Sequence, residues 1–179
     1  ALQGISAAHG AVERSRGQVI PEWAHRDVLY MLLDYSRRAY ELLHRPLSEA
    51  EQGELFAQFM RLGEGLAIPG LPRTLQAWRQ DRVRHLERDL AFTEHTARLY
   101  GSYRAHLGPW RYRLLLDVQG LLVPERVQAL LKLRHNGLLA AGMRTYPLFR
   151  RGGLLPLVRR ALIPPRYWQD VGRLGAVSA

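Results

Sequence analysis

Histidine is the side chain with the widest chemical options in this sequence. There are seven, at positions 9, 25, 44, 85, 95, 106 and 135, and there is no cysteine. The lack of cysteine removes disulfides, thiolate ligands, Cys-based zinc sites and thioether attachment of a cofactor. No two histidines have the i, i+4 spacing around an acid that marks a helical zinc protease. Glu22 stands three residues before His25, but a di-iron bundle needs two such Glu-x-x-His pairs. His85 and His95 fall in densely charged sequence and are expected to be solvated. No glycine-rich phosphate loop and no G-x-S-x-G elbow is present. His44, His106 and His135 show no ligand or catalytic pattern either, so attention narrows to His9, in "ALQGISAAHGAVERSRG".

At helical spacing His9 neighbours Ile5, Ser6, Val12 and Glu13, with Arg16 two turns along. Gly4, Ala7, Ala8, Gly10 and Ala11 around it are all small. A flat porphyrin can bring its iron to a helical imidazole only where the helix surface beside that imidazole is low. Small residues lower it. Ile5 and Val12 would then touch the macrocycle, Arg16 would pair with a propionate, and a neutral ring nitrogen of His9 would ligate the iron. The ordinary reading of the same residues is a surface or core histidine on a helix that packs closely against another.

The elements that must position such a site read as helices almost throughout. The first runs to about Arg16 and is broken by Gly17 and Pro21. In "EWAHRDVLYMLLDYSRRAYELLH", Val28, Leu29, Leu32, Leu33, Ser36, Ala39, Tyr40 and Leu43 recur at helical spacing. "RPLSEAEQ" carries a capping box, Ser48 with Glu51, and Leu47 is placed as a staple. After the loop "EGLAIPGLPRT" comes a polar helix, "TLQAWRQDRVRHLERDLAF", and a break before "TEHTARLYGSYRAH". Further helices are expected from Pro109, from Pro124, and over about Asn136 to Phe149. There is no convincing strand and no internal repeat. The expectation is an all-α chain, residues 1–179, forming a single multi-helix domain around one core. It opens inside an amphipathic helix without an initiator Met, which reads as a fragment lacking N-terminal helices.

A length of 179 residues with 47% hydrophobic and 23% charged side chains is a globular composition. The formal charge is +10, almost entirely from arginine, Lys132 being the single lysine. In "RQDRVRHLERD" both signs alternate at i, i+3 and i+4, the pattern of an exposed, self-paired face, which argues against nucleic acid as the partner. The tail, residues 150–179, is basic and amphipathic in "LLPLVRRALIPPRYW". It suits either a helix that closes the core or peripheral contact with an anionic membrane surface. No apolar run is long enough to span a bilayer and no signal peptide is visible, so the default expectation is a cytoplasmic or membrane-peripheral location.

Four motifs, in this order and spacing, resemble one family. They are "HGAVER" (His9 to Arg14), "HRDVLYMLLDYS" (His25 to Ser36), Leu47-Ser48-x-x-Glu51, and "GEGLAIP" (Gly63 to Pro69). The chain is similar here to the haem-dependent oxygenases that include the latex-clearing rubber oxygenases and the farnesyl-cleaving oxygenase of the mycophenolic-acid pathway. The match is sharpest over residues 5–75 and loose in the C-terminal tail. His25 stands where the family often has Asn, Ala67 where it has Gly, and Glu13 where Arg is frequent.

The resemblance implies an all-helical fold enclosing a pocket for non-covalent haem b, with His9 as proximal iron ligand. It also implies an oxidoreductase that uses O2 to cleave a C=C bond in an isoprenoid or other apolar substrate. The family's distal polar residues lie before its histidine helix, so no catalytic residue can be carried over. Two other classes remain open. One is a haem protein without turnover. The other is a cofactor-free helical module acting at a membrane surface or in an interaction.

Overall fold

The structure is a computed structural model that describes residues 2–134, 136–143, 145, 146, 153 and 167. It is all-α. Among the described residues there are seven helices: α1 Leu2–Arg16, α2 Glu22–Leu43, α3 Glu49–Gly65, α4 Leu75–Arg88, α5 Glu94–Leu122, α6 Glu125–Leu131 and α7 Gly137–Met143. Most of the basic tail, and the end of the helix expected to reach Phe149, lie outside the described residues.

The helix ends follow from local chemistry. Ser48 caps α3: its hydroxyl accepts the Glu51 N–H at 3.3 Å while the Glu51 carboxylate accepts the Ser48 N–H at 2.9 Å. Arg45 pairs with the same carboxylate, and this hydrogen bond, followed by those from Ser48, lowers Glu51 to a pKa of about 2. At the other end, the Ile68 N–H reaches Gly63 O (3.0 Å) and the Ala67 N–H reaches Glu64 O (2.9 Å). This paired closure is a Schellman motif, and it puts Ala67 at φ 54, where glycine is the usual occupant. Thr74 caps α4 by accepting the Ala77 N–H at 3.1 Å. Helix α5 is broken at Gly108, whose φ of 75 and ψ of 170 turn the chain, and a second arm starts at Pro109 as the sequence predicts.

The chain divides into two compact units. The first takes in Ala1–Glu41, Arg45–Ala91 and Val123–Val127. The second takes in Leu42–His44, Phe92–Leu122 and the described residues of Gln128–Ala179. The core of the first unit is Leu29, Tyr30 and Leu33 of α2, Phe56 and Met60 of α3, and Trp78 of α4. Leu71 and Leu75 pack onto its margin. Gly63 permits this approach, since a Cβ there would lie 2.6 Å from Leu29 and 2.8 Å from Leu71. In the second unit α5 and α7 are in contact.

Two expectations about faces need correcting. The inward face of α2 is Leu29, Tyr30, Leu33 and Asp34, whereas Val28, Leu32 and Tyr40 are exposed. Apolar residues occupy more than one side of α2, so periodicity alone does not choose between them. The second correction concerns "RQDRVRHLERD". Arg82, His85 and Leu86 are buried, so this is not simply a solvated face, and His85 is not a surface residue. Carboxylates of α2 supply the partners that make this burial tolerable. His95 is exposed as expected.

Candidate functional site

Helix α1 carries three alanines and two arginines, good helix formers, which offset its two internal glycines. Gly17 (φ 64) ends it. The linker to α2 is fixed by the Glu13 carboxylate, which accepts the Ile20 N–H at 2.8 Å. This brings α1 back against α2 so that the His9 and His25 rings lie 4.8 Å apart, inclined at 48°. Both imidazoles are half-buried.

The remaining residues proposed around His9 are also placed. Ile5 and Val12 are 39% and 42% exposed, and Arg16 is exposed on the same side of α1. Gly4, Ser6, Ala7, Ala8 and Ala11 are exposed too. Close helix packing, the ordinary reason for small residues, would bury them.

A porphyrin on His9 has to satisfy this geometry. The 4.8 Å between the two rings leaves no room for a plate between them, because two van der Waals contacts need about 7 Å. The open side is that of Ile5 and Val12, with Arg16 at its end. An imidazole, two apolar side chains and a cation on one helical face are the right donor set for one side of a haem. Among the described residues no three His, Asp or Glu side chains are grouped to hold a metal ion. A haem iron takes a single protein ligand on its proximal side, so that observation bears on zinc-type sites only.

The most elaborate polar arrangement is one that sequence reasoning missed. Between α2 and α4 lies a buried charged seam. Arg82 Nη1 donates to Asp27 Oδ1 at 3.0 Å, and its Nε lies 3.6 Å from Asp34 Oδ2. Asp34 Oδ1 also accepts from Arg38 (2.9 Å) and Arg37 (3.2 Å). The Tyr30 hydroxyl donates to Asp81 Oδ2 at 2.7 Å. His85, with a side chain 3% exposed, has Asp89 Oδ2 at 3.4 Å and Asp27 Oδ1 at 3.6 Å from Nδ1, and Asp81 Oδ2 at 3.8 Å from Nε2.

The electrostatics of the seam follow from these partners. Burial, then the bond to Asp81, pushes the Tyr30 phenol well above its ordinary value. Burial works against ionisation of Asp81, but hydrogen bonds from Tyr30 and Arg84 outweigh it and leave the carboxyl below the usual range. Asp89 is lowered chiefly by its hydrogen bond from Arg88. The seam is closed to solvent at His85 and Arg82 and its carboxylates are engaged by guanidinium groups, so it acts as a clamp between helices. A signal for it was present in the sequence: Trp78, Arg82 and His85 share one stripe of α4, with Asp89 at its C-cap, and Asp27, Tyr30 and Asp34 share one of α2.

No protein-family model matches the chain, and no curated protein or solved structure matches it.

The four motifs can still be read against the fold. Leu47-Ser48-x-x-Glu51 is the cap of α3, and "GEGLAIP" is its C-terminal closure. Both have structural explanations. Within "HRDVLYMLLDYS", Asp27 and Tyr30 serve the buried seam. "HGAVER" on α1 and the adjoining His25 bring two half-buried imidazoles together near the surface.

Proposed function

We propose that the chain is a haem b-dependent oxygenase, with His9 as the iron ligand and an apolar, isoprenoid-type molecule as substrate for O2-dependent C=C cleavage. The observation that carries this reading is the surface of α1. A half-buried imidazole stands among exposed Gly and Ala residues, beside exposed Ile5 and Val12 and the cation of Arg16. The order and spacing of the four motifs support the same reading.

Within it, Ile5 and Val12 hold the macrocycle by apolar contact, and Arg16 orients it through a propionate. His25, with its ring 4.8 Å from that of His9, limits rotation of the ligand imidazole. Bound haem would supply the O2-activating redox chemistry. Apolar side chains on the same face would exclude water and receive a greasy substrate. Among the described residues no helix is long and apolar enough to cross a membrane.

The test is the absorption spectrum of protein expressed with added haem precursor, beside His9→Ala. A Soret band that is lost or shifted in the variant is expected, followed by O2-dependent formation of carbonyl products from an isoprenoid alkene. Protein that stays colourless and takes up no added hemin overturns the reading. A Soret band without turnover on any alkene would reduce it to haem binding alone.

A further inference from the structure

A cleft in the second unit has no role in the reading above. Helix α5 folds into a hairpin at Gly108 and Pro109. The Tyr100 hydroxyl of the first arm donates to Gln119 Oε1 of the second at 3.0 Å, which pins the arms together across nineteen residues of sequence. Burial raises the Tyr100 phenol above its ordinary value. Nearer the corner an open cleft of about 550 Å³ lies on the face of the hairpin. Ser102, Tyr103, His106 and Leu107 line it from the first arm, Leu115 and Gln119 from the second, and Tyr167 completes it.

Its volume falls within the range of small-molecule sites, about 300–1,000 Å³. The lining is selective in kind. In a chain of formal charge +10, rich in arginine throughout, no Arg, Lys, Asp or Glu is among the described residues that line this cleft. The spacing explains how that is achieved. Positions 102, 103, 106 and 107 form one helical stripe, and 115 and 119 face it one turn apart, so Arg104, Arg111 and Arg113 fall on other sides of the arms. Two tyrosine rings and two leucines offer apolar and π surface, and Tyr103 and Tyr167 are each still 37% exposed. The Ser102 hydroxyl and the Gln119 amide supply polar handles. With its Oε1 accepting from Tyr100, Gln119 presents its N–H₂ as the donor. The His106 ring is oriented by its Nδ1, 2.8 Å from Ser102 O, a carbonyl that can only accept.

We propose that the α5 hairpin cleft is a binding site for a neutral, largely apolar small molecule with an aromatic or unsaturated body and one hydrogen-bonding oxygen or nitrogen. A charged ligand is disfavoured because none of the described lining residues carries a charge to compensate its desolvation. The body stacks between Tyr103 and Tyr167 over Leu107 and Leu115, and the polar atom meets Ser102 or Gln119.

The test uses the whole chain and the neutral fluorophore N-phenyl-1-naphthylamine. Saturable one-to-one binding is expected, weakened at least tenfold by Ser102→Trp, which fills the mouth from an exposed position and leaves the fold intact. Leu115→Phe, which narrows the floor, is expected to weaken it in the same direction. His9→Ala, in the other unit, is expected to leave it unchanged, which separates this site from the haem reading. The sulfonated analogue, 1-anilinonaphthalene-8-sulfonate, is expected to bind more weakly at the cleft. Non-saturable binding of the neutral probe overturns the proposal. So does affinity that both cleft variants leave unaltered while helical content is retained, or loss of binding in His9→Ala.

Discussion

His85 and His9 are the same side chain under opposite conditions. His85 lies in a closed seam among Asp27, Asp81 and Asp89, and its neighbour Arg82 joins α4 to two carboxylates of α2. Removing Arg82 takes the guanidinium from Asp27 while Asp34 keeps Arg37 and Arg38, so the cost lies at the low end for a broken buried pair, about 3 kcal/mol. Arg82→Leu is therefore expected to lower the stability of the first unit by roughly that amount, read as a reduced urea midpoint with little change in slope. A loss under 1 kcal/mol would show the seam to be solvated. This seam was hard to see in sequence for a physical reason. The composition of "RQDRVRHLERD" is the same whether its charges pair along one helix or across two, and the deciding partners, Asp27 and Asp34, lie some fifty residues away. The reading of His9 rests on local information instead: the small residues beside it and the spacing to Ile5, Val12 and Arg16.

At the scale of elements, local signals were the legible ones. The Ser48–Glu51 box, the break at Gly17 and the helix start at Pro109 each depend on a few consecutive residues, and each stands where the sequence puts it. The inward face of α2 depends instead on which neighbours arrive, and there the apolar pattern pointed to Val28 and Leu32 as readily as to Leu29 and Leu33. Ala67 shows what the local reading adds. It sits at φ 54, in a Schellman position where a Cβ costs about 1 kcal/mol relative to glycine. Ala67→Gly is thus expected to stabilise the protein by up to about 1 kcal/mol, part of the gain being cancelled by the greater freedom of glycine in the unfolded chain. A rise in melting temperature checks it, and a fall would mean that the Ala67 methyl makes a packing contact worth more than the strain. Gly63→Ala runs the other way. Its Cβ would press on Leu29 and Leu71, for an expected loss of about 1–3 kcal/mol.

For the whole molecule the governing fact is the imbalance of charge: 26 basic side chains against 16 acidic ones, before the 7 histidines are counted. At neutral pH the carboxylates that matter are engaged by arginine. Glu51 is held at about 2, Asp81 and Asp89 below the usual range. A carboxyl whose folded pKa is depressed contributes stability above its unfolded pKa, about 4, and that contribution disappears as pH falls through the folded value. Acidification therefore removes the carboxylate partners of Arg45, Arg84 and Arg88 and, at the same time, leaves the arginine excess without its counter-charges. Self-repulsion then adds to the lost pairs. Helical signal is expected to fall between about pH 4 and pH 2, and added salt, by screening the net positive charge, is expected to move that loss to lower pH. Salt also weakens the exposed Arg45–Glu51 pair, but this one contact is outweighed by repulsion summed over the whole surface. A titration followed by circular dichroism at low and high ionic strength decides the balance. If salt moves the transition to higher pH instead, the specific pairs dominate and the arginine excess is stabilised locally rather than merely tolerated.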